Sequence, residues 1–256
     1  MIFDTHAHFD DEAFDEDRAS LLEGIQAKGI GAIVNSGASM ASNKLTRDLA
    51  QRYDFVYASF GLHPTYAHDW NDAIAEELER LCQWERCVAV GEIGLDYYWD
   101  DSTPAEQKAC FEAQMDLARR LCKPVVVHSR EAAQDTYDMM KAGHCEEIGG
   151  TVHCFSYGKE MAGLFADMGF YIGVGGVVTF KNSRKLKEVV EYLPLEHIVL
   201  ETDCPYLAPV PFRGKRNDSS LLSYVIEEIS NIKGVSREQV EQITWENAHK
   251  LYRLKD

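Results

Sequence analysis

Eight short apolar or β-branched runs, each followed by helix-like spacing of apolar residues, most constrain what this 256-residue chain can fold into. The runs are IFDTHAHF (2–9), GAIVNSG (31–37), VYASFGLHP (56–64), VAVGEIGLD (88–96), PVVVHSR (124–130), GTVHCF (150–155), FYIGVGGVV (170–178) and HIVLETDCP (197–205). Between them lie DEDRASLLEGIQAKGI, DAIAEELERLCQW, AEQKACFEAQMDLARRL and NSRKLKEVVEYL, which repeat their apolar residues with a helical period. Thr103-Pro104 with Glu106 marks a helix start and Gly29 a helix end. Strands that alternate with helices pair in parallel, because a parallel return needs a crossover connection. Eight such units in about 250 residues predict an α/β fold, a (β/α)8 TIM-type barrel formed as one domain over residues 1–256. A doubly wound open sheet is the alternative, but no glycine-rich phosphate turn follows the first run.

A barrel builds its site at the C-terminal ends of its strands. In this chain polar residues gather there: His6 and His8 end run one, His63 run three, Glu92 and Asp96 run four, His128 run five, His153 run six and Asp203 run eight. Strand side chains alternate faces, so His6 and His8 point one way while Thr5 and Ala7 point the other. Imidazole and carboxylate suit Mg²⁺, Mn²⁺, Zn²⁺ or Co²⁺. Six such ligands exceed what one ion with an open position uses. Two divalent ions bridged by a carboxylate use the set well, and ions about 3.5–4 Å apart are a common arrangement for hydrolysing phosphate esters.

DTHAHFD, GLHP, GEIGLDYY, PVVVHSR, GTVHCFS, GVGGVVTFKN, LETDCPYL and TWENAHKLYRL together resemble the TatD family of metal-dependent deoxyribonucleases, within the amidohydrolase-like barrel hydrolases. The likeness covers essentially the whole chain, with the motifs in family order. It implies that His6, His8 and Asp203 hold one ion, that Glu92 bridges, and that His128 and His153 hold the second. Asp203 and Glu92 become the catalytic pair, with Asp203 taking a proton from the attacking water. Related barrels bridge through a carbamylated lysine; the matching strand here has Glu92 and no lysine. The activity implied is 3′–5′ exonucleolytic hydrolysis of DNA, single-stranded or at 3′ ends. The alternatives are hydrolysis of a small ester, lactone or amide on the same metals, and a non-enzymatic binding module.

Around this set, His63 is expected to bind substrate, and Arg130 to contact phosphate or form an ordinary ion pair. Asp4, Asp96 and Glu201 are expected to orient ligands from behind. The stretch PFRGKRNDSS (211–220) is the main basic cluster, and its Arg213, Lys215 and Arg216 are read as drawing a nucleic-acid end toward the metals. The family more often has Arg-Asn-Glu-Pro where this chain has Arg216-Asn217-Asp218-Ser219, which leaves the loop's shape open. Tyr97, Tyr98 and Trp99 read as packing residues, with base stacking as the alternative. Alternation turns Cys154 and Cys204 away from the metals. GVGGVV lacks a following Lys-Ser/Thr and is no phosphate loop; its glycines admit close backbone approach. Asp10 has no assigned role.

Composition narrows the partners. A net charge of −16 repels a long polyanion at a distance, so phosphate chemistry must rest on metal or a local basic patch. Seven cysteines without a CxxC pair suggest reduced, buried thiols. No run of about 18 apolar residues and no secretory pattern occur, so no membrane partner and a cytoplasmic location are expected. The chain is expected to act as a monomer or weak oligomer.

Overall fold

The computed structural model describes residues 1–99 and 101–254. Eight strands form one sheet in chain order: β1 (Ile2–Ala7), β2 (Ile30–Ser36), β3 (Val56–Phe60), β4 (Cys87–Asp96), β5 (Val125–Arg130), β6 (Gly150–Val152), β7 (Phe170–Val174) and β8 (Ile198–Leu200). Every neighbouring pair from β1–β2 to β7–β8 is parallel. Seven helices run between consecutive strands: α1 (Arg18–Ile25), α2 (Met40–Arg52), α3 (Asp72–Cys82), α4 (Pro104–Arg120), α5 (Ala133–Ala142), α6 (Lys159–Asp167) and α7 (Arg184–Tyr192). Two more, α8 (Leu222–Lys233) and α9 (Arg237–Tyr252), follow β8. The expected (β/α)8 barrel is therefore the observed fold. None of the described helices is long and apolar enough to cross a membrane.

Local chemistry sets the element ends. Thr103 and Glu106 form a reciprocal capping box at the start of α4, with Pro104 in its first turn, and Ser236 and Gln239 do the same for α9. Gly29, at φ 91°, stops the helical turn that continues α1 and returns the chain to β2. The barrel closes between β1 and β8 through a few specific bonds. The Thr5 hydroxyl donates to the Leu200 carbonyl at 2.9 Å, and the His8 amide to the Cys204 carbonyl at 2.9 Å. The amides of Thr202 and Asp203 both donate to the His6 carbonyl, at 3.3 and 3.0 Å. This seam sets the residues after β8 beside the two histidines near the N-terminus.

Two expected strands are shorter than their apolar runs. Runs six and eight extend to Phe155 and Pro205 in sequence, whereas β6 stops at Val152 and β8 at Leu200. Cys154 (φ 45°) and Asp203 (φ 55°) adopt left-handed backbone, which takes the chain out of the pleat. Side-chain alternation therefore does not govern these segments. Cys154 borders the cleft at the barrel mouth instead of turning away, while Cys204 is fully buried.

Most of the core joins the strands to the surrounding helices, with Phe14, Phe60, Phe111, Phe165 and Phe170 fully buried in it. A smaller cluster of Phe3, Ala32, Val34, Val88, Ala89, Val126 and Val199 packs with Ala248, Leu251 and Tyr252 of α9. Asn247 fastens α9 to the entry of β8 by donating to the carbonyls of Leu195 and Ile198. The Tyr252 hydroxyl donates to the Thr5 carbonyl at 2.7 Å. The TWENAHKLYRL segment thus braces the seam strands.

Gly94 shows how tightly β4 meets β5. Its φ is 142°, and a Cβ there would lie 2.0 Å from the His128 carbonyl oxygen. Gly94→Ala is expected to lower the stability by about 3 kcal/mol or more, through strain and a backbone clash. A urea unfolding midpoint within error of the parent would contradict this.

Candidate metal centre

The side chains that end the strands converge on one buried carboxylate. Glu92, on the fully buried strand β4, is only 3% exposed. Its Oε1 lies 2.8 Å from His153 Nε2, 2.9 Å from His128 Nδ1 and 3.4 Å from His63 Nε2. Its Oε2 lies 3.4 Å from both His6 Nε2 and His8 Nε2. Asp203 Oδ1 completes the second side, 3.4 Å from His8 Nε2 and 3.7 Å from His6 Nε2. Among the described residues, three groups are close enough to grip a cation: His6, His8 and Asp203; His6, Glu92 and His153; His63, Glu92 and His128. The six residues expected as ligands are thus brought together, and His63 joins them in contact with Glu92.

Neighbours fix which nitrogen three of the rings turn inward. The Ser36 carbonyl holds His8 Nδ1 at 2.8 Å, and Ser36 Oγ lies 3.1 Å from His6 Nδ1. Asp96 Oδ2 lies 2.9 Å from His128 Nε2, leaving Nδ1 to face Glu92. Asp96 therefore holds the His128 ring in this orientation. Ser36 performs the same service from β2, and nothing in GAIVNSG singles it out except its place at a strand end. Such partners set tautomer and ring angle in metal sites.

The electrostatics of the pocket favour positive charge beside its carboxylates. Burial pushes His6 down to about 4, as does the charge on His153. Burial also opposes charge on His8, but Asp203, Glu92 and Asp10 outweigh it and raise it to about 10. His128 likewise resists burial through Asp96 and Glu92 and is raised to about 9. Glu92 is held well below the usual carboxylate range, since the surrounding imidazoles overcome its desolvation; Asp203 is lowered for the same kind of reason. His8 and His128 thus favour holding a second proton beside these carboxylates. His6 Nε2 and His8 Nε2 are 3.0 Å apart, so their lone pairs would collide without a proton or cation between them. The residues fit a divalent ion, which would take the place of those protons.

Outside this centre, several expected roles change. Asp4 is fully buried but does not touch the His6 ring; it accepts from the His6 and Thr202 amides and from the Thr202 and Ser219 hydroxyls. It secures the turn that carries Asp203. Ser219 stands where the family pattern has proline, and its 2.6 Å bond to Asp4 sets the loop, while Asp218 caps the following turn. Asp10 acquires a structural role by accepting from Asn35 and Ser42. Glu201 is buried and pushed well above the usual carboxylate range by burial and by Asp203. Its Oε1 accepts from the Cys154 amide, and its Oε2 lies over Gly173, where a Cβ would be 2.2 Å away. It does not contact a ligand ring; it sits beside Asp203 in a cavity of about 60 Å³.

The main cleft, about 860 Å³, is lined by His8, His63, Glu92, His128, His153 and Asp203 at its base, with Arg130, Trp99, Tyr66 and Tyr206 among its other walls. Arg130 has no ion pair with a carboxylate among the described residues and faces this cleft. Arg213 lies outside that lining, stacked 4.4 Å over the Phe180 ring. Arg216 is occupied as well, in a two-pronged ion pair with Asp17 and a bond to the Ala13 carbonyl. The basic cluster in PFRGKRNDSS therefore braces its loop more than it faces the cleft.

Histidines and carboxylates gathered at the C-terminal mouth of a (β/α)8 barrel define a class, the metal-dependent barrel hydrolases. The family model described as TatD related DNase matches residues 3–253, and the chain belongs to the TatD family of metal-dependent hydrolases. It is 40% identical over 254 residues to the uncharacterized metal-dependent hydrolase YabD of Bacillus subtilis, covering 99% of this chain and 100% of that protein. It is 33% identical to the 3′-5′ ssDNA/RNA exonuclease TatD of Edwardsiella piscicida, covering 94% and 95%. The crystal structure of the Escherichia coli TatD homolog YJJV superposes with a TM-score of 0.93 at 30% identity, over 99% of this chain and 98% of that one.

Two outcomes follow from the proton and hydrogen-bond pattern. Metal uptake at pH 7 should release between one and two protons, and apparent affinity should rise with pH until His128 and then His8 lose their extra protons at about 9 and about 10. Calorimetry in buffers of different ionisation enthalpy measures both; pH-independent affinity would contradict the pattern. Asp96→Asn should weaken metal binding by about 10- to 100-fold, because an amide can oppose the tautomer that turns His128 Nδ1 inward. Competition with a fluorescent chelator reads that loss directly.

Proposed function

We propose that this protein is a two-metal 3′–5′ exonuclease that removes nucleotides from single-stranded DNA ends. The observation that carries this reading is the division of Glu92: Oε1 faces His63, His128 and His153, while Oε2 faces His6 and His8. A carboxylate whose two oxygens address separate imidazole sets suits a bridge between two ions. In this reading His6, His8 and Asp203 would hold one ion and His128 and His153 the other, with Glu92 available to both. His63, in contact with Glu92 Oε1, stands where it can serve either an ion or a phosphate oxygen. When bound, divalent ions acidify water and neutralise charge on phosphate oxygens.

The chain's own groups supply the remaining chemistry. Asp203, whose carboxylate opens on the cleft beside His8, can accept a proton from the attacking water. The water oxygen bonds to phosphorus as the bond to the leaving 3′ oxygen breaks. The proton held on Asp203 then passes to that oxygen, which yields a 5′-mononucleotide and a strand shortened by one residue. Arg130, facing the cleft without a carboxylate partner among the described residues, supplies positive charge for the strand in an otherwise acidic protein. The name of the Edwardsiella relative supports the nucleic-acid substrate.

The test is a 5′-labelled single-stranded oligodeoxynucleotide, with a ribose oligonucleotide and a duplex as comparisons, assayed across Mg²⁺, Mn²⁺, Zn²⁺ and Co²⁺. A ladder of products shortened one nucleotide at a time, abolished by chelator, is expected. Asp203→Asn should cost roughly 100- to 10,000-fold in kcat, the usual worth of a general base. Intact oligonucleotide with every metal would overturn the nuclease reading.

A further inference from the structure

The segment after β4 carries a feature that the metal chemistry does not use. Tyr98 and Trp99 are half exposed, at 49% and 51%, and meet edge to face with ring centroids 4.8 Å apart. Arg130 lies 3.9 Å above the Tyr98 ring centroid and 5.9 Å from that of Trp99. Packing residues would be covered, yet Trp99 and Arg130 line the cleft, with Tyr98 against both of them. Large aromatic surface left in water beside an active site is unfavourable unless a partner covers it.

The turn is also tied to the metal centre. Asp96 Oδ1 accepts from the amides of Tyr98 and Trp99, at 2.9 and 3.2 Å, while Oδ2 holds His128 Nε2. One carboxylate therefore fixes both the inward nitrogen of His128 and the backbone that presents the indole. Only that carboxylate and one imidazole separate the Trp99 backbone from the atom facing Glu92.

We propose that Trp99, backed by Tyr98 and Arg130, is a nucleobase-stacking subsite that seats the nucleotide next to the scissile phosphate. This rests on the nuclease reading and specifies how its substrate is held. The indole offers one π-face to any base, so recognition is tolerant of sequence. Arg130, stacked on Tyr98, stiffens the platform and points positive charge toward the strand. Asp96 is the positioning residue that keeps the platform in register with His128. A strand held by a stacked base needs fewer phosphate contacts, which suits a chain with a net charge of −16.

The experiment compares a single-stranded oligodeoxynucleotide with the same strand carrying tetrahydrofuran abasic residues at its last two 3′ positions, in wild-type, Trp99→Ala and Trp99→Phe proteins. The wild type should prefer the natural strand by about tenfold or more in kcat/KM, as expected for one base–aromatic stack. Trp99→Ala should lose the preference by falling on the natural strand, and Trp99→Phe should retain most of it. If the wild type degrades both strands equally, or Trp99→Ala keeps the preference, the subsite is wrong and the nuclease reading stands. If the wild type degrades neither strand with any metal, the nuclease reading fails and takes the subsite with it.

Discussion

The structure is organised around an ionised carboxylate buried among five imidazoles. Isolated in a protein interior, Glu92 would cost several kcal/mol to keep charged. Rings from four places in the chain surround it: His6 and His8 with β1, His63 after β3, His128 on β5 and His153 after β6. Three of those rings, His6, His8 and His128, are in turn aimed by Ser36 and Asp96. Satisfying one buried charge thus dictates the register of most of the barrel mouth. Gly94 contributes by letting β4 approach β5 closely enough for His128 to reach Glu92.

Much of this was legible in the sequence because both signals are local. The alternation of apolar runs with helical spacing marks the barrel, and polar residues at run ends mark the site, since a barrel leaves few other reasons to place histidines there. What was not legible depends on where the pleat stops. β6 and β8 are three residues each, and the left-handed backbone at Cys154 and Asp203 ends the alternation that the sequence invites one to extend. Asp4 illustrates a second limit. Its spacing from His6 suggested a ring partner, whereas the seam gave it Thr202 and Ser219, about 200 residues away.

Charge was the most deceptive signal. Arg213, Lys215 and Arg216 form a conspicuous cluster, but Arg216 binds Asp17 and Arg213 covers Phe180. The guanidinium that faces the cleft is Arg130, a single residue beside a ligand, supported by an aromatic ring. Surface clusters in sequence carry no information about which partners the fold supplies, and here nearby acids and rings absorb the charge.

The seam between β1 and β8 has a consequence for how the protein is made. His6 and His8 precede Asp203, and the backbone that positions it, by about 200 residues of sequence. The brace from Tyr252 to Thr5 comes later still. A nascent chain therefore carries His6 and His8 long before Asp203 follows, and the site is completed only when the seam forms.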